Sequence, residues 1–248
     1  MDGVLVVTGA SRGIGAATAL LGAQRGYRVC VNYVRDAGAA EGVADAIRRA
    51  GGEAIVVQAD VGHEADVARL FATVDRTLGT VTALVNNAGI LETQCRLEDV
   101  DEERLLRILR VNVVGTFLPS REAVRRMSTR RGGKGGVIVN VSSAASRTGS
   151  PGEYVDYAAS KGAIDAFTHG LALEVADEGI RVNAVRPGII ETEIHASGGE
   201  PGRPARVAPS LPMKRPGRPE EVAEAILWLL SDASSYTTGT ILDVAGGR

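Results

Sequence analysis

Val4-Leu5-Val6-Val7-Thr8-Gly9-Ala10-Ser11-Arg12-Gly13-Ile14-Gly15 is the stretch that decides how the rest of the chain is read. Its first five residues are mostly β-branched and mostly apolar, which suits a buried strand. The glycines that follow permit a sharp turn, and helical spacing takes over from Ala16 to Arg25. Strand, glycine-rich turn and helix in that order begin a βαβ unit. Such a helix start presents oriented N–H groups and a partial positive charge, and glycines let a pyrophosphate approach the backbone. Gly9, Ser11, Arg12, Gly13, Ile14 and Gly15 are therefore candidate phosphate contacts. The spacing is G-x-x-x-G-x-G, not the commoner G-x-G-x-x-G. A glycine-rich turn also serves any tight bend, so its place in the unit carries the reading.

Outward from that stretch the pattern repeats. Apolar runs recur at Arg28 to Tyr33, Ala54 to Gln58, Ala83 to Asn86, Gly136 to Val141, Arg181 to Val185 and Thr240 to Val244. They are nearly continuous rather than alternating, as expected of parallel strands covered on both faces. Between them lie segments of helical spacing, including Ala39 to Ala50, Glu64 to Leu78 and Glu220 to Leu230. The expected architecture is α/β: a single-domain, doubly wound parallel sheet of about seven strands spanning residues 1–248. With 44% hydrophobic and 23% charged residues, disordered and fibrous classes are poor fits. A net charge of -2 argues against a nucleic-acid partner. Two cysteines and three scattered histidines give neither a disulfide framework nor a metal site. No run of 18 apolar residues and no signal-like start occur, so no membrane partner and a cytoplasmic location are the default expectation.

In doubly wound sheets the ligand crevice lies at the carboxyl ends of the strands. The second strand ends Val31-Asn32-Tyr33-Val34-Arg35, with no acid until Asp36. An acid at that end would bond the ribose hydroxyls of an unphosphorylated dinucleotide. Arg12 and Arg35 instead offer guanidiniums suited to a 2′-phosphate. NADP(H) is thus the preferred cofactor, with NAD(H) the alternative that Asp36 keeps open and solvated arginines the bland reading. Asn32, Tyr33 and Arg35 are placed at the ribose. Asp60 and Val61 are placed at the adenine, and Asn87, Ala88 and Gly89 where the chain's backbone can pack beside the ribose.

Tyr157-Ala-Ala-Ser-Lys161 falls at the start of a long helical segment, and a spacing of four puts both side chains on one face. A phenol with a pKa near 10 is a poor proton carrier at neutral pH, and a nearby ammonium stabilises the phenolate. That pairing suits general acid–base work. On its own, a Tyr/Lys pair at this spacing occurs on many helices by chance.

The set as a whole resembles the short-chain dehydrogenase/reductase family from Val4 to Gly247. The residues that carry the resemblance are TGASRGIG (8–15), NNAG (86–89), Asn112 in VNVVG, NVSS (140–143), YAASK (157–161) and RPG (186–188). Within the family the chain is most similar to bacterial glucose dehydrogenases and 3-oxoacyl-carrier-protein reductases. The resemblance implies a Rossmann-type fold and hydride transfer between a nicotinamide and a carbonyl or secondary alcohol. Tyr157 would exchange the proton, and Lys161 would lower its pKa and hold the nicotinamide ribose. Asn112 would keep a relay water through its backbone, and a serine hydroxyl would polarise the substrate oxygen. Pro187, Gly188, Ile190 and Thr192 would flank the nicotinamide. The family serine stands 13 residues before the tyrosine, a position held here by Ala144. Ser143 is assigned instead, with Ser142 and Ser146 as fallbacks.

The expected substrate wall comprises Leu91 to Gln94, Ala144, Glu153-Tyr154, Ile189 to His195 and a proline-rich stretch from Ser197 to Arg218. Residues 189–218 are read as a substrate lid, and His195 as a residue of the lid surface, with substrate contact the alternative. Few aromatics favour a small polar carbonyl or sugar-like alcohol over a steroid. Arg130, Arg131 and Lys134 are read as solvated charge rather than a carrier-protein dock. The resemblance implies a homotetramer, with contacts through the helix from Ser160 to Ala176 and the Thr240 to Gly246 region. A catalytically idle NADP(H)-binding sensor and a scaffold are the rival classes. Neither gives Tyr157, Lys161 and a serine a reason to occur together.

Overall fold

The computed structural model describes residues 3–248. The strands are β1 (Val4–Val7), β2 (Arg28–Tyr33), β3 (Ala54–Gln58), β4 (Ala83–Asn86), β5 (Gly136–Val141), β6 (Ile180–Pro187) and β7 (Ile241–Val244). They form one sheet in the order β3-β2-β1-β4-β5-β6-β7, parallel at every pairing. The helices in chain order are α1 (Gly13–Gln24), α2 (Ala37–Arg49), α3 (Glu64–Thr77), α4 (Glu102–Leu109), α5 (Gly115–Met127), α6 (Ala145–Thr148) and α7 (Val155–Val175). They are followed by α8 (Ile194–Ser197), α9 (Arg203–Val207) and α10 (Pro219–Leu230).

Both faces of the sheet are covered, which explains why its strands are apolar at consecutive positions. Leu5 and Val7 point into one core with Ala40, Ala44 and Ile47 of α2 and Val222 and Ile226 of α10. Val4 and Val6 point into the other, with Val67, Leu70 and Phe71 of α3 and Ala172 and Val175 of α7. Side chains alternate across a strand, so a strand buried on both sides is apolar at most positions, and its buried asparagines, such as Asn32 and Asn140, need hydrogen-bond partners. Gly22 lets α1 approach the sheet, since a Cβ there would stand 2.6 Å from Leu5 Cδ2.

Two features of the topology position the site. The strand order reverses at β1, which lies between β2 and β4, and this opens a crevice at the carboxyl ends of those strands. Between α4 and α5 the helix widens into one π turn, Arg110–Val114, with Asn112 buried inside it. Single π turns of this kind are frequent at functional sites.

Expected and observed boundaries differ modestly. β6 runs longer than Arg181 to Val185, and α1 begins at Gly13, so the last two glycines of the turn are already helical. The Ser197–Arg218 stretch is not a plain loop. It contains the end of α8, all of α9 and a 3-10 turn at Ala208–Ser210, and Leu211 is buried. Short helices satisfy backbone groups that a buried loop would leave unpaired.

Candidate active site

A cleft of ≈ 960 Å³ runs along the carboxyl ends of the strands, from Arg35 and Asp60 at one end to Arg203 and His195 at the other. Gly9, Ser11, Arg12, Gly13 and Ile14 form its floor beside β1. Gly9 has φ +61°, and a Cβ there would lie 2.9 Å from Ala88 Cα, so only glycine fits. The N-terminus of α1 has no side-chain cap, and no acidic residue stands in its first turn. Its leading N–H groups face an open cleft, which is the arrangement that takes a phosphate. The residues present thus fit a dinucleotide pyrophosphate.

Two candidate contacts prove to be structural. Asn32 is fully buried and does not reach the cleft. Its Oδ1 accepts from Gly9 N at 3.2 Å, and its Nδ2 donates to the carbonyls of Val57 and Ala59 at 3.2 and 3.0 Å. It ties the glycine turn to β2 and β3 and has no polar atom to spare. Gly15 is also buried, and a Cβ there would lie 2.5 Å from Asn87 Nδ2, so its role is close packing.

At the ribose end, Tyr33, Arg12 and Arg35 line the cleft, and both guanidiniums are exposed. Neither forms an ion pair among the described residues. Asp36 is committed elsewhere: its Oδ1 accepts from Ala39 N at 2.9 Å and caps α2. An aspartate directly before a helical run is a cap signal in sequence, so this role was legible from the start. Asp60 and Val61 line the adenine end, where Asp60 also accepts from Gly62 N at 2.9 Å. His63 and Arg110 join them there, neither singled out by the sequence reading. Asn87, Ala88 and Gly89 line the middle, and Asn87 Nδ2 donates to the carbonyls of Thr8 and Gly9, each at 2.9 Å. Pro187, Gly188, Ile190 and Thr192 close the other wall.

The reacting groups gather where β5 ends. Ser143 and Tyr157 both line the cleft; the Ser143 hydroxyl accepts from Ala145 N at 3.1 Å and acts to lower the Tyr157 phenol. Ser142 Oγ instead donates to the Lys161 carbonyl at 3.2 Å, and Ser146 Oγ to the Ser143 carbonyl at 2.8 Å. Of the three serines, only Ser143 is brought to the phenol. Lys161 Nζ sits 5.6 Å from the Tyr157 ring centre and donates to the Val141 carbonyl at 2.8 Å.

The electrostatics depart from expectation in one respect. Burial pushes the Tyr157 phenol above its ordinary value, against lowering by the Ser143 hydroxyl and the Arg203 charge. Acidification of the phenol by Lys161 does not govern this arrangement. Burial costs the ammonium too, and lowers Lys161 from 10.5 to about 8, with Asp165 opposing.

Supporting contacts hold these groups in place. Arg104 of α4 donates to Asp156 at 2.6 Å, a pair nearly out of solvent, and to the Thr93 carbonyl at 2.7 Å. Asp156 Oδ1 accepts from Tyr157 N at 2.8 Å, which anchors the start of α7. Asn112 spends its side chain on both backbone groups of Ile90 and on Ser160 Oγ. Its backbone carbonyl accepts from Thr116 Oγ1 at 2.9 Å. At the substrate end Leu91, Glu92, Ala144, Tyr154, Ile189 and Ile194 line the cleft. His195 is buried there and is not on the surface of the segment. Arg203, which the sequence reading did not single out, joins it.

A family profile described as Enoyl-(Acyl carrier protein) reductase matches residues 9–248. An uncharacterized oxidoreductase of Escherichia coli (strain K12), YgfF, is 60% identical over 245 residues, covering 99% of each chain. Glucose 1-dehydrogenase 2 of Bacillus subtilis (strain 168) is 39% identical over 98% of this chain and 93% of its own. A short-chain type dehydrogenase/reductase from Mycobacterium marinum superposes with a TM-score of 0.92 at 36% identity, covering 99% and 94% of the two chains.

Proposed function

The chain belongs to the short-chain dehydrogenase/reductase family of oxidoreductases, which use a nicotinamide cofactor and act on small molecules, and on that premise we propose an NADP(H)-dependent enzyme that interconverts a carbonyl and a secondary alcohol. The observation that carries this reading is the meeting of Ser143, Tyr157 and Lys161 in the cleft that also holds the uncapped start of α1. The bound nicotinamide supplies or takes the hydride. Ser143 donates to the substrate oxygen and stabilises charge developing there. Tyr157 gives its phenolic proton to that oxygen in reduction and takes it back in oxidation. Lys161 holds ribose hydroxyls and, when protonated, steadies the phenolate. The buried carbonyl of Asn112 supports a water through which Lys161 recovers its proton.

The phosphorylated cofactor is favoured by the two exposed guanidiniums of Arg12 and Arg35, unpaired among the described residues, and by the engagement of Asp36 as a helix cap. Asp60 and Val61 receive the adenine; Pro187, Gly188, Ile190 and Thr192 receive the nicotinamide. Residues 189–218 act as a lid within a single domain spanning 1–248. The protein works in the cytoplasm; no helix of the described residues is long and apolar enough to cross a membrane. It assembles as a homotetramer. In support, Phe117 of α5 stacks on Phe167 of α7 with ring centres 3.9 Å apart at the surface, and Leu106, Leu173 and Trp228 are exposed. Glu92, Tyr154, His195 and Arg203 among the aliphatics of the substrate end favour a small hydroxylated or sugar-like compound over a 3-oxoacyl thioester. Arg130, the first charge of the basic loop, is occupied by Asp177.

Tyr157→Phe tests the chemistry. Turnover of any accepted ketone should fall by at least about a hundredfold, the usual share of general acid catalysis, while NADPH binding persists. Full turnover in that variant would refute the mechanism. Retained NADPH binding with no turnover by the native chain across ketones, sugars and thioesters would favour a sensor.

A further inference from the structure

Arg186 opens the Arg-Pro-Gly stretch, and nothing in the chemistry above uses it. It lies near the carboxyl end of β6, one residue past Val185, which pairs with Val141 of β5. Val185 points into the core it shares with Val222 and Ile226 of α10, whereas Val182 points toward Ala172 and Val175 of α7. Side chains alternate along a strand, so Arg186 faces α7. There its Nε and Nη2 donate to Asp165 Oδ2 at 3.1 and 2.8 Å. Asp165 is one helical turn beyond Lys161 on α7, a spacing that sets their Cβ atoms about 5–6 Å apart. Lys161 in turn reaches β5, donating to the Val141 carbonyl. Lysine, aspartate and arginine thus follow one another beneath α7, at the ends of two paired strands, with charges plus, minus, plus.

The ion pair is not arranged for stability alone. A guanidinium serves a carboxylate best when its two N–H groups take one oxygen each. Here both fall on Oδ2, and Oδ1 is buried without a partner, a costly and uncommon state. Arg186 is also shared: its Nη1 lies 3.8 Å from Asp243 Oδ1 on β7, and Asp243 also holds Arg147 at 3.1 Å. The charge of Asp165 is therefore only partly cancelled. Its side chain is 12% exposed and that of Arg186 18%, so water screens the remainder weakly.

The groups that face Lys161 from other elements are neutral. A Cβ on Gly89 would stand 3.5 Å from Nζ and 3.4 Å from Asn112 Oδ1, and Ser142 bonds the Lys161 carbonyl. The Tyr157 ring lies one turn back on α7, and the Arg203 charge acts on that phenol. Burial lowers Lys161, and Asp165 opposes it.

We propose that Asp165 is a positioning residue for proton transfer: its carboxylate keeps the Lys161 ammonium charged, and Arg186 limits how strongly it does so. The role in turnover rests on the cleft being the hydride-transfer site. Removing the two partners should act on Lys161 in opposite directions, which a purely structural ion pair would not do.

Lys161 is one of three lysines, and Lys134 and Lys214 are exposed. In ¹³Cε-lysine NMR of the full chain its signal is the one lost in Lys161→Met. Asp165→Asn should make Lys161 titrate about one pH unit lower. Arg186→Gln, which can still bond Asp165, should make it titrate about half a pH unit or more higher. Movement in the same direction, or less than about 0.2 in Asp165→Asn, overturns the proposal. Should one variant fail to fold, the direction in the other decides alone. The basic limb of kcat/KM for reduction of an accepted ketone by NADPH should follow the same two directions. A limb that stays fixed while the NMR midpoints move overturns the role in turnover. Opposite NMR movements with no turnover of any ketone leave the action of Asp165 on Lys161 standing and count against hydride transfer.

Discussion

Replacing Lys161 by methionine should change how the stability of the fold depends on pH. Lys161 is 4% exposed and its ammonium makes one hydrogen bond, to the Val141 carbonyl. Burial lowers it from 10.5 to about 8. The folded state therefore binds this proton less tightly than the unfolded state does. Below the folded value the native chain carries the full penalty. As pH rises from about 8 toward 10.5 the unfolded chain loses the proton too, and the penalty disappears. A displacement from 10.5 to about 8 corresponds to about 3 kcal/mol, of which about 2 kcal/mol is relieved between pH 7 and 9.5. Urea unfolding of native chain and Lys161→Met, at both pH values and one protomer concentration, isolates the effect. The constant cost of losing the Val141 contact cancels, as do all other titrations common to both proteins. The native chain should gain about 2 kcal/mol relative to the variant on going to pH 9.5. A difference that stays level within about 0.5 kcal/mol, or moves the other way, would show that Lys161 keeps an ordinary affinity for its proton.

Two further outcomes follow from individual contacts. Arg35→Ala should weaken NADPH binding about tenfold or more and leave NADH nearly unchanged, because only the 2′-phosphate engages the guanidinium. Equal loss for both cofactors in fluorescence titration would reject the phosphate assignment. Ser143→Ala should lower kcat by at least about tenfold with the melting temperature nearly unchanged, whereas Ser142→Ala should act through stability, since its hydroxyl bonds the Lys161 carbonyl. The reverse pattern would move the assignment to Ser142.

The linear order of the chain determined a great deal by itself. Runs such as Val4 to Thr8 and Gly136 to Val141 are apolar at consecutive positions, and only a strand covered on both sides requires that, so the layered parallel sheet was legible. Tyr157 and Lys161 were legible because their relation is local, one helical turn apart. Contacts across the sheet were not. Asn32 stands at a strand end, where a cofactor contact is the natural reading, but it is consumed by Gly9, Val57 and Ala59. Nor could spacing choose among Ser142, Ser143 and Ser146, since the loop between β5 and α7 sets which hydroxyl meets the phenol. His195 and Arg203 lie far from Tyr157 in sequence and reach its cleft only because the proline-rich segment folds into short helices and packs back over it. Burial and the identity of the hydrogen-bond partner are properties of three-dimensional neighbours. They alone weaken the hold of Lys161 on its proton and fix Asn32 inside the fold, away from the cleft.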